Sequence, residues 1–342
     1  MSNDVRVALI GAGRAGMVHA RNLRSGVRDG LLAVVADPSS QAREQALAEL
    51  GDIAVHDDPV AAATDDGVDA VVIASPTFTH AEVAVAALAA GKHVLCEKPL
   101  ASTLAEADRI AAAERDSPAT LLMGFMRRFD AGFLRVAQRI ADGDIGEPLL
   151  VKSTGRGPGL PPPWAWDSAR SGGLVAEVNS HDLDTVRWLS GQEATRVYAV
   201  GRAAKRPDLV EDHPGFVDLV ALTFELSAGG LAMVDGACPA DYGYDARVEV
   251  YGSSGVLFAG DPRQHGALLV GAGGASMDAV RSWRDLFASA YRAEDQHLVA
   301  VARGDEPART TVADGVRALE AVVAANTSLR EHRPVTIAEV RG

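Results

Sequence analysis

The sequence predicts a two-domain protein: an N-terminal α/β domain on a parallel sheet, then an α+β domain with a largely antiparallel sheet. Three observations predict this. Strand-like and helix-like segments alternate over the first 120 residues. A glycine-rich turn joins the first strand to the first helix. After about residue 125 the alternation stops, and four strand-like segments then follow one another without helices between them.

Each element has a local reason. VRVALI, from residue 5, is a compact apolar strand, and GMVHARNLRS continues from the glycine turn as a helix. LLAVVA is a second strand, stopped by Asp37-Pro38, and QAREQALAEL is a helix of good helix formers. VDAVVIASP and KHVLCEKPL are further β-rich runs, joined by the helix HAEVAVAALAAG with Gly91 at its C-cap. Parallel neighbours need such crossovers, so this region reads as βαβ units.

The change of architecture divides the chain into residues 1–122 and 123–342, with the last helices able to pack back on the first domain. FDAGFLRVAQRIADGDIG is a helix, EPLLVKSTGR begins a strand, and GPGLPPPWAW is a Pro/Gly-rich loop. SGGLVAEVNSHDLDTVRWLSG then reads as one helix, with Glu177 and His181 four residues apart on one face. RVYAVGRA, FVDLVALTFEL, GLAMVDGAC and ARVEVYGSSGVLFAG are the successive strands of the second sheet. SMDAVRSWRDLFASAYRAEDQHLVAVARG and DGVRALEAVVAANTSLREH are amphipathic helices.

Composition narrows the function. With 47% hydrophobic and 23% charged residues, the 342-residue chain can bury sizeable cores. A net charge of −13 argues against a nucleic-acid or anionic-membrane partner, both of which select basic surfaces. No apolar run reaches the roughly 18 residues of a membrane span. The first residues carry no secretory pattern, and the two cysteines, Cys96 and Cys238, have no metal-like spacing. A cytoplasmic protein without a metal site is expected.

The loop Gly11-Ala12-Gly13-Arg14-Ala15-Gly16 has G-x-G-x-x-G spacing between a strand and a helix, the context of a dinucleotide site. Gly11 permits the tight turn, Gly13 lets backbone approach a pyrophosphate, and Gly16 lets helix and strand pack closely. The helix N-terminus offers N–H groups and a positive dipole to the phosphates. Asp37 ends the second strand about 20 residues on, where a carboxylate accepts from ribose hydroxyls and repels a 2′-phosphate. NAD is therefore expected, with NADP left open because Arg43 or Ser39 could accommodate a phosphate.

CEKPLA, residues 96–101, adds a further signal. Together with ASPTFTH, GFMRRFD, IGEPLLVKS, SGGLVAEVNSHDLD, VYGSSGVL and DGVRALEAV, it makes the chain resemble the glucose–fructose oxidoreductase / inositol dehydrogenase / rhizopine-catabolism family along nearly its whole length. The resemblance implies a Rossmann domain followed by a domain with an open sheet, and NAD(P)-dependent hydride transfer at a sugar or cyclitol carbon. It also implies a homodimer or homotetramer in which a second subunit covers the sheet of residues 195–260.

Carried over position by position, the resemblance implies cofactor contacts from Ser75, Pro76, Thr77, His80, Glu97 and Lys98. Lys98 matches the lysine of the family's Glu-Lys-Pro motif, between nicotinamide and substrate hydroxyl. His181 matches the histidine that serves as acid/base. Glu177 stands where the family usually has aspartate, which keeps the carboxylate one methylene longer; Asp184 fits the same pattern. GFMRRFD looks most like the inositol dehydrogenases and places Met126 and Arg127 on the substrate side. Their following His-Arg-Asn-Pro is here Gly155-Arg156-Gly157-Pro158, so two polar groups for a hydroxylated ring are gone, which argues against myo-inositol itself. Arg156 remains as a substrate contact. Trp164 and Trp166 are equally readable as a platform for a ring face, for which Trp166 is the candidate, or as packing anchors. Tyr242 and Tyr244 lie in a second loop that could shape specificity.

The chemistry is coherent. Oxidising an alcohol removes the hydroxyl proton as hydride leaves the same carbon, so a base and an alkoxide stabiliser are needed. Histidine suits the first role, with Glu177 orienting it, and a lysine suits the second. The alternatives are a ketosugar or aminosugar reductase of the same family and a non-catalytic sugar sensor. A metal-dependent hydrolase using Glu177 and His181 lacks the accompanying ligand motifs.

Overall fold

The computed structural model describes residues 4–341, apart from the side chains of Ala169 and Arg170. The chain forms two compact units: one runs to Phe129 and takes in Ala288–Val316, and the other comprises Asp130–Phe287 and continues from Arg317.

In the first unit, β1 (Val5–Ile10), β2 (Gly30–Ala36), β3 (Ala54–His56), β4 (Ala70–Ile73), β5 (His93–Glu97) and β6 (Leu121–Gly124) form one sheet in the order β3-β2-β1-β4-β5-β6. Every pairing in it is parallel. The crossovers use α1 (Gly16–Ser25), α2 (Ser40–Leu50), α3 (Pro59–Thr64), α4 (His80–Ala89) and α5 (Leu104–Arg115). β4 reads Ala-Val-Val-Ile without alternation because helices cover both faces, and all four residues have 0% exposure. The strand order reverses between β1 and β4, and ligands of such sheets bind outside the carboxyl ends at that point.

The second unit begins with α6 (Ala131–Ala141) and β7 (Pro148–Arg156). Three short helices follow, α7 (Ser168–Ser171), α8 (Gly173–Glu177) and α9 (Ser180–Ser190). Next come β8 (Ala194–Arg202), β9 (Leu219–Leu226), β10 (Leu231–Ala237), β11 (Asp245–Gly252) and β12 (Val256–Ala259). A small hairpin of β13 (Leu269–Gly271) and β14 (Gly274–Ser276) precedes α10 (Trp283–Leu286). α11 (Ala288–Ala302) and α12 (Val312–Glu331) lead to β15 (Val335–Thr336) and α13 (Ile337–Arg341).

The large sheet runs β12-β11-β7-β10-β9-β8-β15. β7 and β10 pair in parallel and the other neighbours antiparallel. The strands alternate: in β9, Val220, Leu222, Phe224 and Leu226 point inward while Leu219, Ala221, Thr223 and Glu225 are exposed. One face is thus core and the other outward-facing.

α11 belongs to the first unit. Its Leu298, Val299 and Val301 are buried in one cluster with Val7, Leu9, Leu23 and Leu95. Each such side chain contributes about 1.5–3 kcal/mol on burial, which brings a late segment back to the first sheet.

Two sequence expectations are corrected. The stretch 171–191 is not one helix: Glu177 ends α8 and His181 is the second residue of α9, with Val178 and Asn179 between. There the N–H of Asn179 reaches back five residues to the Leu174 carbonyl at 3.4 Å, while its own carbonyl starts α9 by accepting from Leu183. The Asn179 side chain is committed elsewhere, to Asp182 and to the Asp235 carbonyl. The segment SMDAVRSW is also not helical as a whole. Val280 donates to the Pro262 carbonyl and accepts from Tyr244, which holds it extended, so the helix starts only at Trp283. Among the described residues, no helix is long and apolar enough to cross a membrane.

Candidate active site

The glycine turn after β1 is built as its spacing requires. Gly11 has φ +96°, and a Cβ there would come within 2.6 Å of the Ser75 nitrogen, so only glycine fits between the ends of β1 and β4. A Cβ on Gly16 would overlap the Gly11 carbonyl oxygen, which is the close helix–strand contact. A Cβ on Gly13 would meet nothing within 4 Å. Gly13 and Arg14 are exposed and Ala15 half-buried, so the tip of the turn and the start of α1 stand open to a ligand.

Asp37 follows β2 directly. Its Oδ2 accepts from the Ala12 N–H at 2.9 Å and its Oδ1 from the Ser39 N–H at 2.9 Å. The carboxylate therefore joins the glycine turn to the second strand and retains acceptor capacity for ribose hydroxyls. The two groups that would favour NADP are engaged: Arg43 donates to the carbonyls of Asp37 and Pro38, and Ser39 Oγ caps α2. These residues fit a dinucleotide with a free ribose diol. Asp37→Ala is expected to weaken NAD by about 10- to 100-fold and NADP much less. Separate titrations with NADH and NADPH would check this; an unchanged ratio would remove Asp37 from the ribose site.

Ser75 and Thr79 tie the turn after β4 through their hydroxyls at 2.7 Å. Pro76 sits between them, and Thr77 is buried at the start of a 3₁₀ turn. His80 begins α4 with 1% exposure, its Nδ1 2.8 Å from the Pro99 carbonyl oxygen and its Nε2 2.9 Å from that of Ser75. Burial pushes its pKa down, against the pull of the two carbonyls. His80 thus lies between the Ser75 turn and the turn after β5, with a ring nitrogen facing a backbone carbonyl on each side.

Lys98, half-buried, emerges at the carboxyl end of β5 ahead of a cis Pro99. The Glu97 carboxylate beside it is turned inward: Oε2 accepts from the Lys98 N–H at 3.1 Å and Oε1 lies 3.3 Å from His19 Nε2. Glu97 is therefore an anchor of the turn. Met126 and Arg127 lie in the 3₁₀ turn after β6 and are almost wholly buried, at 2% and 1% exposure.

In the second unit His181 lies in the first turn of α9 and is buried, and Glu177 is half-buried. α9 is locked to the sheet by a wholly buried network that sequence reasoning missed. Asp182 accepts from Ser153 Oγ at 2.6 Å and from Asn179 Nδ2 at 2.9 Å. Gly155 and Gly236 make room for it, since a Cβ on the first would overlap Asp182 Oδ2 and on the second Asn179 Oδ1. Thr185 Oγ1 donates back to the His181 carbonyl at 2.7 Å.

The sequence pattern described as "Oxidoreductase family, NAD-binding Rossmann fold" matches residues 5–125, and the GFO/IDH/MocA C-terminal domain matches residues 133–258. The chain belongs to the GFO/IDH/MocA oxidoreductase family. It is 34% identical to a scyllo-inositol 2-dehydrogenase (NAD(+)) of Bacillus subtilis, over 98% of this chain and 97% of that protein. It is 33% identical to a myo-inositol 2-dehydrogenase of Thermotoga maritima, over 99% and 100%. The crystal structure of a myo-inositol dehydrogenase from Lactobacillus casei, in complex with NAD(H) and myo-inositol, superposes with a TM-score of 0.87 at 27% identity, covering 97% of this chain and 96% of that one.

As a GFO/IDH/MocA oxidoreductase, the protein carries its expected cofactor residues at the carboxyl ends of β1, β2, β4 and β5. Ser153 and Gly155 face α9, so Arg156, one residue on, faces the other side of the sheet. Its guanidinium is held there by Asp235 at 2.5 Å and by the Tyr242 hydroxyl at 3.3 Å. Trp166 donates Nε1–H to the Pro161 carbonyl at 2.9 Å and packs edge-on against His213, which makes it an anchor of its own loop.

The glycine under α9 gives a stability prediction. Gly155→Ala is expected to cost about 1–3 kcal/mol by forcing Asp182 off the sheet. Gly159→Ala, where the added methyl meets nothing within 4 Å, should leave Tm unchanged. Thermal melts of the two variants would check the pair; equal Tm values would mean that α9 is not seated through Gly155.

Proposed function

We propose that the protein is an NAD-dependent dehydrogenase that oxidises a secondary hydroxyl of a cyclitol, with His181 as acid/base and Lys98 as stabiliser of the alkoxide. The observation that carries this reading is similarity over essentially the full chain to two inositol 2-dehydrogenases. Lys98 and His181 stand at the family's motif positions.

Bound NAD supplies the hydride acceptor. The chain's own residues do the rest. Gly11, Gly13 and Gly16 shape the backbone that receives the phosphates, and Asp37 accepts from the ribose. Lys98 binds the hydroxyl and favours its oxyanion form as charge develops. His181 takes the hydroxyl proton in oxidation and returns it in reduction. Glu177 supplies a carboxylate one helical segment away for a substrate hydroxyl or for orienting the imidazole.

The relatives act on scyllo- or myo-inositol by their names, so the substrate class proposed is an inositol or a close cyclitol. Both cysteines are free and buried, which suits a reducing, cytoplasmic setting. We further propose that the protein self-associates through the outward face of the second sheet. Tyr198, Val200, Leu231, Met233, Tyr251 and Phe258 lie there at 41–67% exposure, an apolar surface that a second copy would cover.

The test is NADH formation with scyllo-inositol, myo-inositol, aldoses and uronates, each with NAD and NADP. Turnover of a cyclitol with NAD is the expected result. Turnover confined to another class, or none with NADH binding intact, would overturn the proposal. Light scattering after size exclusion would check the oligomer.

A further inference from the structure

The first unit holds a buried ionisable cluster that the proposed chemistry does not use. His19 on α1, Glu97 at the end of β5, and Glu294 and Asp295 on α11 have exposures of 0%, 5%, 0% and 0%. His19 Nδ1 lies 2.6 Å from Asp295 Oδ1, and Asp295 Oδ2 accepts from Asn22 Nδ2 at 2.8 Å. The other imidazole nitrogen faces Glu97. Tyr291, one turn before Glu294, packs edge-on against the His19 ring.

Glu294 is the exception. Neither of its carboxyl oxygens has a hydrogen-bond partner, yet one lies within 4.8 Å of both a Glu97 oxygen and a His19 nitrogen. An ionised carboxylate without donors, buried beside two others, is strongly disfavoured, whereas a protonated one is itself a donor. α11 also packs on the turn after β6, where Arg128 is paired with Asp314 and Arg127 is buried, and on β4, which is wholly apolar. The charged groups acting on Glu294 are Glu97, His19 and Asp295.

We propose that Glu294 is held as a neutral carboxylic acid and, together with a His19 imidazolium, fixes the Glu97 carboxylate as the positioning residue for Lys98. His19 donates from both nitrogens, to Asp295 and to Glu97. A neutral Glu294, with an oxygen within 4.8 Å of a Glu97 oxygen, puts no second negative charge beside Glu97, and Glu97 in turn holds the Lys98 N–H. A Cβ on Gly124 would press within 3.1 Å of the Glu97 carboxylate, so β6 leaves room for this inward geometry. Protonation directions agree. Burial pushes the Glu294 carboxyl well up, Glu97 and Asp295 add to it, and His19 opposes. Burial alone would lower the His19 imidazole, but Asp295 and Glu97 outweigh it and hold it well above the ordinary range.

The test compares Glu294→Gln, which keeps a neutral side chain of the same shape, with Glu294→Ala, which removes it. In the wild type the unfolded chain loses the Glu294 proton above its ordinary value of 4.5 while the folded chain keeps it. This contribution to stability is therefore complete below that pH and is lost as pH rises toward the folded value. Tm of Glu294→Gln should gain on that of the wild type from about pH 5 to pH 9. Glu294→Ala should lower kcat by about tenfold, with the NADH dissociation constant within about twofold of wild type, and Glu294→Gln should restore kcat to within about twofold. Parallel Tm curves, or a glutamine variant as impaired as the alanine one, would overturn the proposal. The kinetic arm rests on the dehydrogenase reading above; the melting arm does not, so an inactive wild type would sink that reading while the melts still decide this one.

Discussion

Lys98→Ala is expected to lower kcat by about 10²- to 10³-fold, the cost of one preorganised donor to a developing oxyanion. Lys98 is half-buried at the end of β5, and its backbone is tied by Glu97, so the side chain leaves from a fixed point. Truncation removes the cation without disturbing that turn. The glycine loop and Asp37 belong to β1 and β2, two and three strands away from β5 in the sheet order, and do not depend on the lysine. The NADH dissociation constant should therefore change by less than about threefold, within the range of a single lost contact. Stopped-flow or steady-state kinetics beside a fluorescence titration would separate the two effects. Full turnover in the variant would remove Lys98 from the chemistry.

His181→Ala is expected to cost about 10²- to 10⁴-fold in kcat, the usual contribution of a positioned general base. The helix that carries it should survive. Asp182, Asn179 and Ser153 hold α9 to the sheet through side chains, and the Thr185 bond uses only the His181 carbonyl. Tm should accordingly stay close to that of the wild type. Because a base must be unprotonated to accept a proton, the acid limb of the pH–rate profile should be lost with the histidine. A variant that keeps that limb, or that retains most of its turnover, would assign the base to another group.

Much of the first unit was legible in the sequence because its signals are local. Gly11 and Gly16 of the turn after β1 are required by the close approach of backbone that this spacing implies, while Gly13 stands open at its tip. β4 announces burial on both faces by an unbroken apolar run. The helix drawn through Glu177 and His181 failed for the opposite reason. Its residues are good enough helix formers, but Asn179 has a stronger use in the sheet, and that competition is invisible at the level of propensity. Which side of the sheet Arg156 faces was not legible either: it follows from strand alternation next to Gly155, which lies beneath Asp182.

By itself, then, the sequence determined the order of strands and helices, the dinucleotide turn, the acidic residue after the second strand, and the family to which Lys98 and His181 belong. These are written in short-range spacing and in residue types that have few alternative uses. Only the tertiary structure decided that His80 and Glu97 turn inward as anchors, that Arg156 faces away from α9, and that α11 returns to close a charged cluster with α1 and β5. The physical reason is common to all three. A polar side chain in the interior goes to whichever partners chain packing brings near, and those partners lie as far as 276 residues away along the sequence.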